Sequence, residues 1–533
     1  MKRWKLLALI GFMSILPGML NAQTEDDVAE EMAEREEETE LYGEDMLSHL
    51  QRLRRHPLNL NSASRNQMEA LMLLTPFQIE SILDRIKSSG PILSFAELGL
   101  LYGFDEKTVE RLRPYIRLGE AARRPEGFLK DEKTEVYSRY QRAFSPEAEQ
   151  HLIRLRSSYL DRVDLSMIFK GNSTQKSSEN FTTGGISFSS LGSGALRLEK
   201  LVIGDFYARM GQGLAIWNGY SFSGASETAG FAKNAMPISL YTSSDTSKLL
   251  RGGAFSLQMK KVRFSAGYSF KKRESVLGLN YTGRRSRYGL SYYRKENEKS
   301  VVSADLLCGL PGAIVFTEAA WSPETEQFTA LGGASLEMEK VTVHFLLRKL
   351  NNQQKLSLRM AGPLYRKISC AAGVDYSRAQ SSTLKWWGKL SWDDSSFGTA
   401  SQNEFWIKGY VKDRLYSLKT GGKIHLFSDL KLVLRGELNS LNGRGFSSYL
   451  KLDKKRIGFT IGSAMFHVRD WAARIYFPEA ELPYSFSSHL LYGQGMDFCG
   501  LVTIKPSRWL SFYLKYQYRR GVSTAKGAVR LEL

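Results

Sequence analysis

No run of apolar residues in this chain reaches the ~18 to 20 needed for a membrane-spanning helix, so a helical membrane protein is excluded. Cysteine is scarce: three in 533 residues. Cys308, Cys370 and Cys499 stand far apart, which argues against a disulfide framework or a thiolate metal site. Cys308 follows the phase of Val302, Ala304 and Leu306, and Cys370 that of Ile368, Ala372 and Val374, so both read as small lipid-facing residues. The seven histidines are scattered; His344 and His425 fall within strand-like segments, where a lumen or interface position is the ordinary reading. There is no Gly-x-Ser-x-Gly elbow, no phosphate-binding Gly-Lys-Ser/Thr loop and no His-Glu-x-x-His pair. No catalytic residue, cofactor or metal is therefore expected.

What the chain has instead is alternation. In Val262 to Lys271, the residues Val262, Phe264, Ala266, Tyr268 and Phe270 alternate with Arg263, Ser265, Gly267, Ser269 and Lys271. Leu510 to Arg519 follows the same rule, with Leu510, Phe512, Leu514, Tyr516 and Tyr518 in one phase. Val341, Val343, Phe345 and Leu347, and Leu432, Leu434 and Leu438, extend the pattern. Period two sends the two sets to opposite faces of a strand. A long series of such strands has to close or be covered, because open edges aggregate. The fold expected is a transmembrane antiparallel β-barrel of roughly 22–26 strands, each near the nine to eleven residues that cross a bilayer at a tilt. Two long breaks interrupt it. Asn218 to Leu249 is an outer loop or an inward-folded plug, and Pro478 to Gln494 is a second long loop. The chain ends in phase, with Gly527, Val529, Leu531 and Leu533 alternating with Ala528, Arg530 and Glu532.

The start of the chain has another character. Lys2, Arg3 and Lys5 precede the apolar stretch Leu6 to Leu16, then Pro17, Gly18 and Asn21-Ala22. This is a secretory signal over 1–22. Residues 24–45 hold 12 acidic residues and one arginine, a charge of −11, in an acidic linker or solvated helix spanning 23–52. Leu41, Met46, Leu50 and Leu53 would form an apolar stripe at its end. The total charge is +19; setting aside the acidic segment and the +3 of the signal leaves +27 on residues 46–533. A basic barrel suits anionic head groups or anionic solutes.

Residues 53–120 read as a small all-α domain of four or five helices. Asn61 or Ser62 caps a first helix through Met68, Leu71 and Leu74, which Thr75-Pro76 ends. Ile79, Ile82, Leu83 and Ile86 face one way in the second. Gly90-Pro91 turns the chain into Phe95, Leu98 and Leu101, and Val109, Leu112 and Ile116 mark the last. Residues 121–133 form a linker, and the barrel takes 134–533.

The run Leu58-Asn59-Leu60-Asn61-Ser62-Ala63-Ser64 resembles the opening of ComEA-type tandem helix-hairpin-helix domains. Gly90-Pro91-Ile92-Leu93-Ser94-Phe95-Ala96-Glu97-Leu98 is similar to their middle segment. Gly103-Phe104-Asp105, with Arg111-Leu112-Arg113-Pro114-Tyr115-Ile116, resembles the second hairpin and closing helix. The resemblance implies hairpin contacts at Thr75, Phe77, Gln78, Gly103, Phe104 and Lys107, to a protein partner or to a DNA backbone. In DNA-binding members a Gly-hydrophobic-Gly turn offers backbone amides to a phosphate. Here Leu74-Thr75-Pro76-Phe77-Gln78 has no glycine and Pro76 lacks an amide hydrogen, while Asp105 stands where a second glycine would be. A docking module or a plug under the barrel is favoured over DNA binding.

Ile203-Gly204-Asp205-Phe206-Tyr207-Ala208-Arg209-Met210-Gly211-Gln212-Gly213-Leu214 resembles a recurrent motif of bacterial proteins that join such a helical domain to an outer-membrane barrel. Arg474-Ile475-Tyr476-Phe477-Pro478-Glu479 and Tyr492-Gly493-Gln494-Gly495 are similar to others of that group. The glycines around Gln212 read as a bulge or a close strand approach. The expectation is a non-enzymatic outer-membrane barrel, channel or scaffold, with a periplasmic docking module. Its partners would be outer-membrane lipid or lipopolysaccharide and a periplasmic or outer-membrane protein. DNA uptake, with nucleic acid as partner, and a barrel enzyme are the alternatives.

Overall fold

The computed structural model describes residues 50 to 533 except for short stretches, the longest of which are 120–131, 173–180, 219–229 and 394–402. The signal, most of the acidic segment and nearly all of the linker lie outside the described residues, as do Leu41 and Met46 of the apolar stripe. Leu50 and Leu53 lie within them and are buried in the core of the helical module.

That module contains α1 (Arg65–Ala70), α2 (Pro76–Ser89), α3 (Phe95–Leu98) and α4 (Glu106–Leu112). Met68, Leu71, Leu74, Ile79, Ile82, Ile92, Leu98, Val109, Leu112 and Ile116 make one buried cluster. A two-residue parallel pairing, Leu58–Asn59 with Ile116–Arg117, ties its two ends together. Two sequence expectations fail locally. Asn61 does not cap α1; its side chain accepts from the Ile92 amide at 2.8 Å and donates to the Ile92 carbonyl at 2.9 Å, clamping the middle segment. Ser62 serves a turn, its amide donating to the Asn59 carbonyl. Thr75-Pro76 opens α2 rather than merely ending α1: the Thr75 hydroxyl accepts from the Gln78 amide and the Gln78 side chain accepts from the Thr75 amide, a reciprocal cap.

From Glu132 onward the chain is a closed antiparallel barrel of 24 strands. The strand Val262–Ser269 realises the alternation read above, paired with Leu250–Met259 and Glu274–Thr282. Phe264 and Tyr268 stand exposed on the outside, whereas Arg263, Ser265 and Ser269 are buried inside. In the strand Leu510–Arg519, Phe512, Leu514, Tyr516 and Tyr518 face out while Lys515 and Gln517 are buried. Cys308 is paired with Val315 and Cys370 with Leu390, both exposed outer-face residues; Cys499 is buried on the inner side beside Tyr449. Closure comes from Glu132–Phe144 pairing with the last strand, Val522–Glu532, from Glu135↔Glu532 to Ala143↔Thr524. Both ends of the barrel chain therefore lie at one rim, called here the terminal rim.

Candidate functional site: a lumen filled from both ends

The first long break does not leave the barrel. The strand Leu196–Ala208 runs on through Arg209 to Leu249, and its described residues fold inward. Ile238–Leu240 pairs with the inner end of that strand, and Met210, Ile238 and Leu240 join Val202, Phe206 and Val276 in a buried cluster. The glycine-bearing motif is the root of this insert. Gly204 has φ +108°, and a side chain there would strike the Gly184 backbone. Asp205 is fully buried; it accepts from the Gly184 amide at 2.9 Å and from both ends of the Arg251 guanidinium, at 2.7 and 2.9 Å. Gly211 and Gly213, at φ +57° and +93°, make a tight turn rather than a bulge. Its Gln212 and Leu214 amides donate to one Glu318 carboxylate oxygen, at 2.7 and 3.0 Å. The turn is an anion nest, and a wall carboxylate fills it.

The insert then crosses to the helical module. Phe231 and Ala232 join Leu307, Ile314, Phe316 and Leu331 of the wall, and Phe77 of α2 packs against the same cluster. The Asn234 side chain donates to the Leu74 carbonyl at 2.8 Å. Arg359 of the wall lies over the Phe231 ring, 4.7 Å from its centroid. Around this apolar centre run charged contacts between module and barrel. Arg287 and Glu69 pair at 3.2 Å with both side chains under a tenth exposed; Arg285 and Asp84 pair at 2.8 Å, half exposed. Gly309 gives room for Glu80, whose chain passes 2.9 Å from where a side chain would begin. Arg285 and Gly309 flank the tight turns at the terminal rim. The module thus enters from that rim, and the insert reaches it from the other.

The second long break is also internal. Ile475–Pro478 pairs with Ser488–Leu491 as a small hairpin over Ala464, Phe466 and Val468. Its tip carries Leu482 and Tyr484 onto Tyr137, Leu152, Ile168 and Ala528 beside the closure seam. Tyr484 donates to Glu135 and stacks edge-on to Tyr137 at 5.0 Å between centroids. Glu481 pairs with Lys515 and Lys526, each at 2.9 Å, and Glu479 with Lys515 at 3.6 Å and with Arg519. Burial pushes the Glu481 carboxyl up, but the two ammonium groups outweigh it and hold it down at about 2.

The hairpin residues singled out in the sequence fall together. Gln78 closes the Thr75 cap and donates to the Gly103 carbonyl at 2.7 Å. Gly103, at φ +82°, admits the Phe77 ring: a side chain there would begin 2.7 Å from Phe77 Cδ1. Phe104 is buried in the module core. Lys107 lies on α4, and its side chain is outside the described residues. The Gln78 and Ile79 amides at the head of α2 are already bonded to Thr75, and Pro76 has no amide hydrogen. That turn has little left to offer a phosphate. Sequence reasoning did not find Arg287, Glu318, Phe231 and Asn234, because nothing local marks residues whose partners lie tens to hundreds of positions away.

A closed barrel, apolar outside and polar inside, defines the class: a transmembrane β-barrel. Beyond that class, no protein-family model matches the chain and no curated protein matches it in sequence. Among solved structures, the P pilus usher (PapC) translocation pore aligns over 75% of this chain and 99% of its own at 6% identity and a TM-score of 0.38. The siderophore receptor PirA from Pseudomonas aeruginosa aligns over 76% and 80% at 9% identity and a TM-score of 0.40. PirA from Acinetobacter baumannii aligns over 76% and 81% at 8% identity and a TM-score of 0.42. Scores this low settle nothing further; the architecture rests on the strand pairing of the chain itself.

Proposed function

We propose that this protein is a non-enzymatic passage of the bacterial outer membrane, held shut by a two-part stopper. One part is the helical module, which stands on the periplasmic side; the other is the insert from Arg209 to Leu249. The carrying observation is the Phe77 ring, packed against the cluster that Ala232 of the insert forms with Leu307, Ile314, Phe316 and Leu331 of the wall. In this reading the hairpin-like corner of α2, which resembles a nucleic-acid grip, serves as a docking tip inside its own chain. The occupied amides at the head of α2 weigh against DNA uptake.

Full burial of a phenylalanine contributes ~1.5–3 kcal/mol; Phe77 is partly buried and contributes a part of that, and ~1.4 kcal/mol is a factor of ten in an equilibrium. Phe77→Asp would also place an unpaired carboxylate in an apolar cluster. In planar bilayers Phe77→Asp is expected to raise the open fraction at least tenfold over the unaltered protein. Equal conductance of the two would overturn the stopper.

A further inference from the structure

The two inserts cover unequal parts of the inner wall. Inner residues on the covered parts are buried, among them Arg263, Ser265, Arg287 and Ser303 on one side and Ser447, Thr460, Lys515 and Gln517 on the other. The strands Ser382–Asp393, Glu404–Lys412 and Leu415–Phe427 differ. Their inner residues Lys385 and Lys412 are exposed, and Lys389, Trp406, Lys408, Tyr410 and Lys419 are partly so.

The register of this wall is unusual. Lys389 stands directly opposite Lys408, and Lys408 directly opposite Lys419, a row of three ammonium groups across three neighbouring strands. Lys385 and Lys412 are also direct partners. Like charges facing one another across a sheet destabilise it. Three rings hold the lysine heads over the wall. Lys408 lies over Trp387 at 5.1 Å, Lys389 over Trp406 at 5.3 Å and Lys385 over Tyr410 at 5.0 Å. Trp387 and Trp406 lie across Gly373 and Gly421, the only kind of residue that leaves room for them there. Carboxylates stand at the margins: Asp375 is directly opposite Lys385, Glu437 pairs with Lys419 at 3.4 Å and Glu404 with Lys423 at 3.9 Å.

We propose that this row is a binding subsite for an acidic oligosaccharide passing through the lumen. Strands are about 4.8 Å apart, so the row offers positive charge at roughly the advance of successive rings in a pyranose chain. An anionic chain lying along it would set its acidic groups over successive ammonium groups. A single-stranded nucleic acid fits less well, because base stacking needs open ring faces and each ring here has an ammonium over it. The subsite rests on the reading of the barrel as a passage, but binding to it is measured without any current.

The test is equilibrium binding to the full chain in detergent micelles, using an oligogalacturonate, its neutral methyl ester and an oligothymidylate. The oligogalacturonate is expected to bind, to weaken as salt rises, and to weaken at least tenfold in Lys408→Glu; the methyl ester is expected not to bind. Lys408→Gln, which leaves no new charge to disturb folding, is expected to weaken binding severalfold, with heat-dependent gel migration confirming an intact barrel. No binding by the unaltered protein, an unchanged affinity in an intact Lys408→Gln barrel, or oligothymidylate bound as tightly as the saccharide would overturn the subsite. Repeating the titration in Phe77→Asp separates the two readings: wall binding there without raised conductance would leave the subsite standing and the stopper refuted.

Discussion

At the scale of single residues, Asp205 shows how burial sets the cost of a charge. It is fully buried, while its partner Arg251 has a side chain 41% exposed. Removing the arginine strands a carboxylate in the interior, which costs about 3–5 kcal/mol. Removing the negative charge leaves a guanidinium that water can reach, and an asparagine oxygen can still accept from the Gly184 amide. Arg251→Met is therefore expected to destabilise the barrel by about 3 kcal/mol and Asp205→Asn by about 1 kcal/mol. Urea unfolding in lipid vesicles measures both, and an equal or larger loss for Asp205→Asn would refute the account. The motif around these residues stood out in the sequence for its glycines. Gly211 and Gly213, read there as a bulge or a close strand approach, make a turn whose ligand, Glu318, is more than 100 positions away, while the close backbone approach falls at Gly204. Local sequence carries the backbone conformation and not the partner.

At the scale of elements, period-two alternation made the strands legible, because inside and outside of a barrel differ so sharply in solvent. Val262–Ser269 and Leu510–Arg519 lie where their patterns put them. The same rule is silent on segments without a period, and both long breaks turn inward for reasons spread over distant strands. The hairpin Ile475–Leu491 is held by Glu481 between Lys515 and Lys526, and this gives it a pH dependence. Glu481 belongs to no membrane-crossing strand, and its carboxyl is held at about 2 in the folded protein against about 4.3 in an unfolded chain. A depressed carboxyl contributes stability that is complete above about 4.3 and is lost as pH falls toward 2. Arg139 and Glu479 stand nearby. Backbone amides of residues 479–485 are expected to keep their hydrogen-exchange protection at pH 6 and to lose it, after correction for intrinsic rates, by pH 2.5. Glu481→Gln should show the loss already at pH 6. Equal protection at both pH values would refute the link.

At the scale of the whole molecule, two structures with separate supports share one lumen. The barrel closes through the pairing of Glu132–Phe144 with Val522–Glu532, and backbone bonds between Thr134 and Leu533 finish the seam. None of these bonds involves the helical module. The module has its own buried core, from Leu50 to Ile116, and among the described residues meets the barrel through the Phe77 cluster, the Asn234 bond, the Glu80–Gly309 contact and two ion pairs, one of them half exposed. Half-exposed pairs contribute little, about 0–1 kcal/mol, so the seating depends mainly on Phe77 and on the buried Arg287–Glu69 pair. A chain that begins at residue 120 should therefore still form a heat-modifiable, protease-resistant barrel. It would leave Arg287 without Glu69 and the Phe231 cluster without its lid, so its conductance should match or exceed that of Phe77→Asp. If the shortened chain failed to form a barrel, the module would be part of the wall's stability and not a stopper; if it formed a barrel as closed as the intact protein, the insert alone would account for the block.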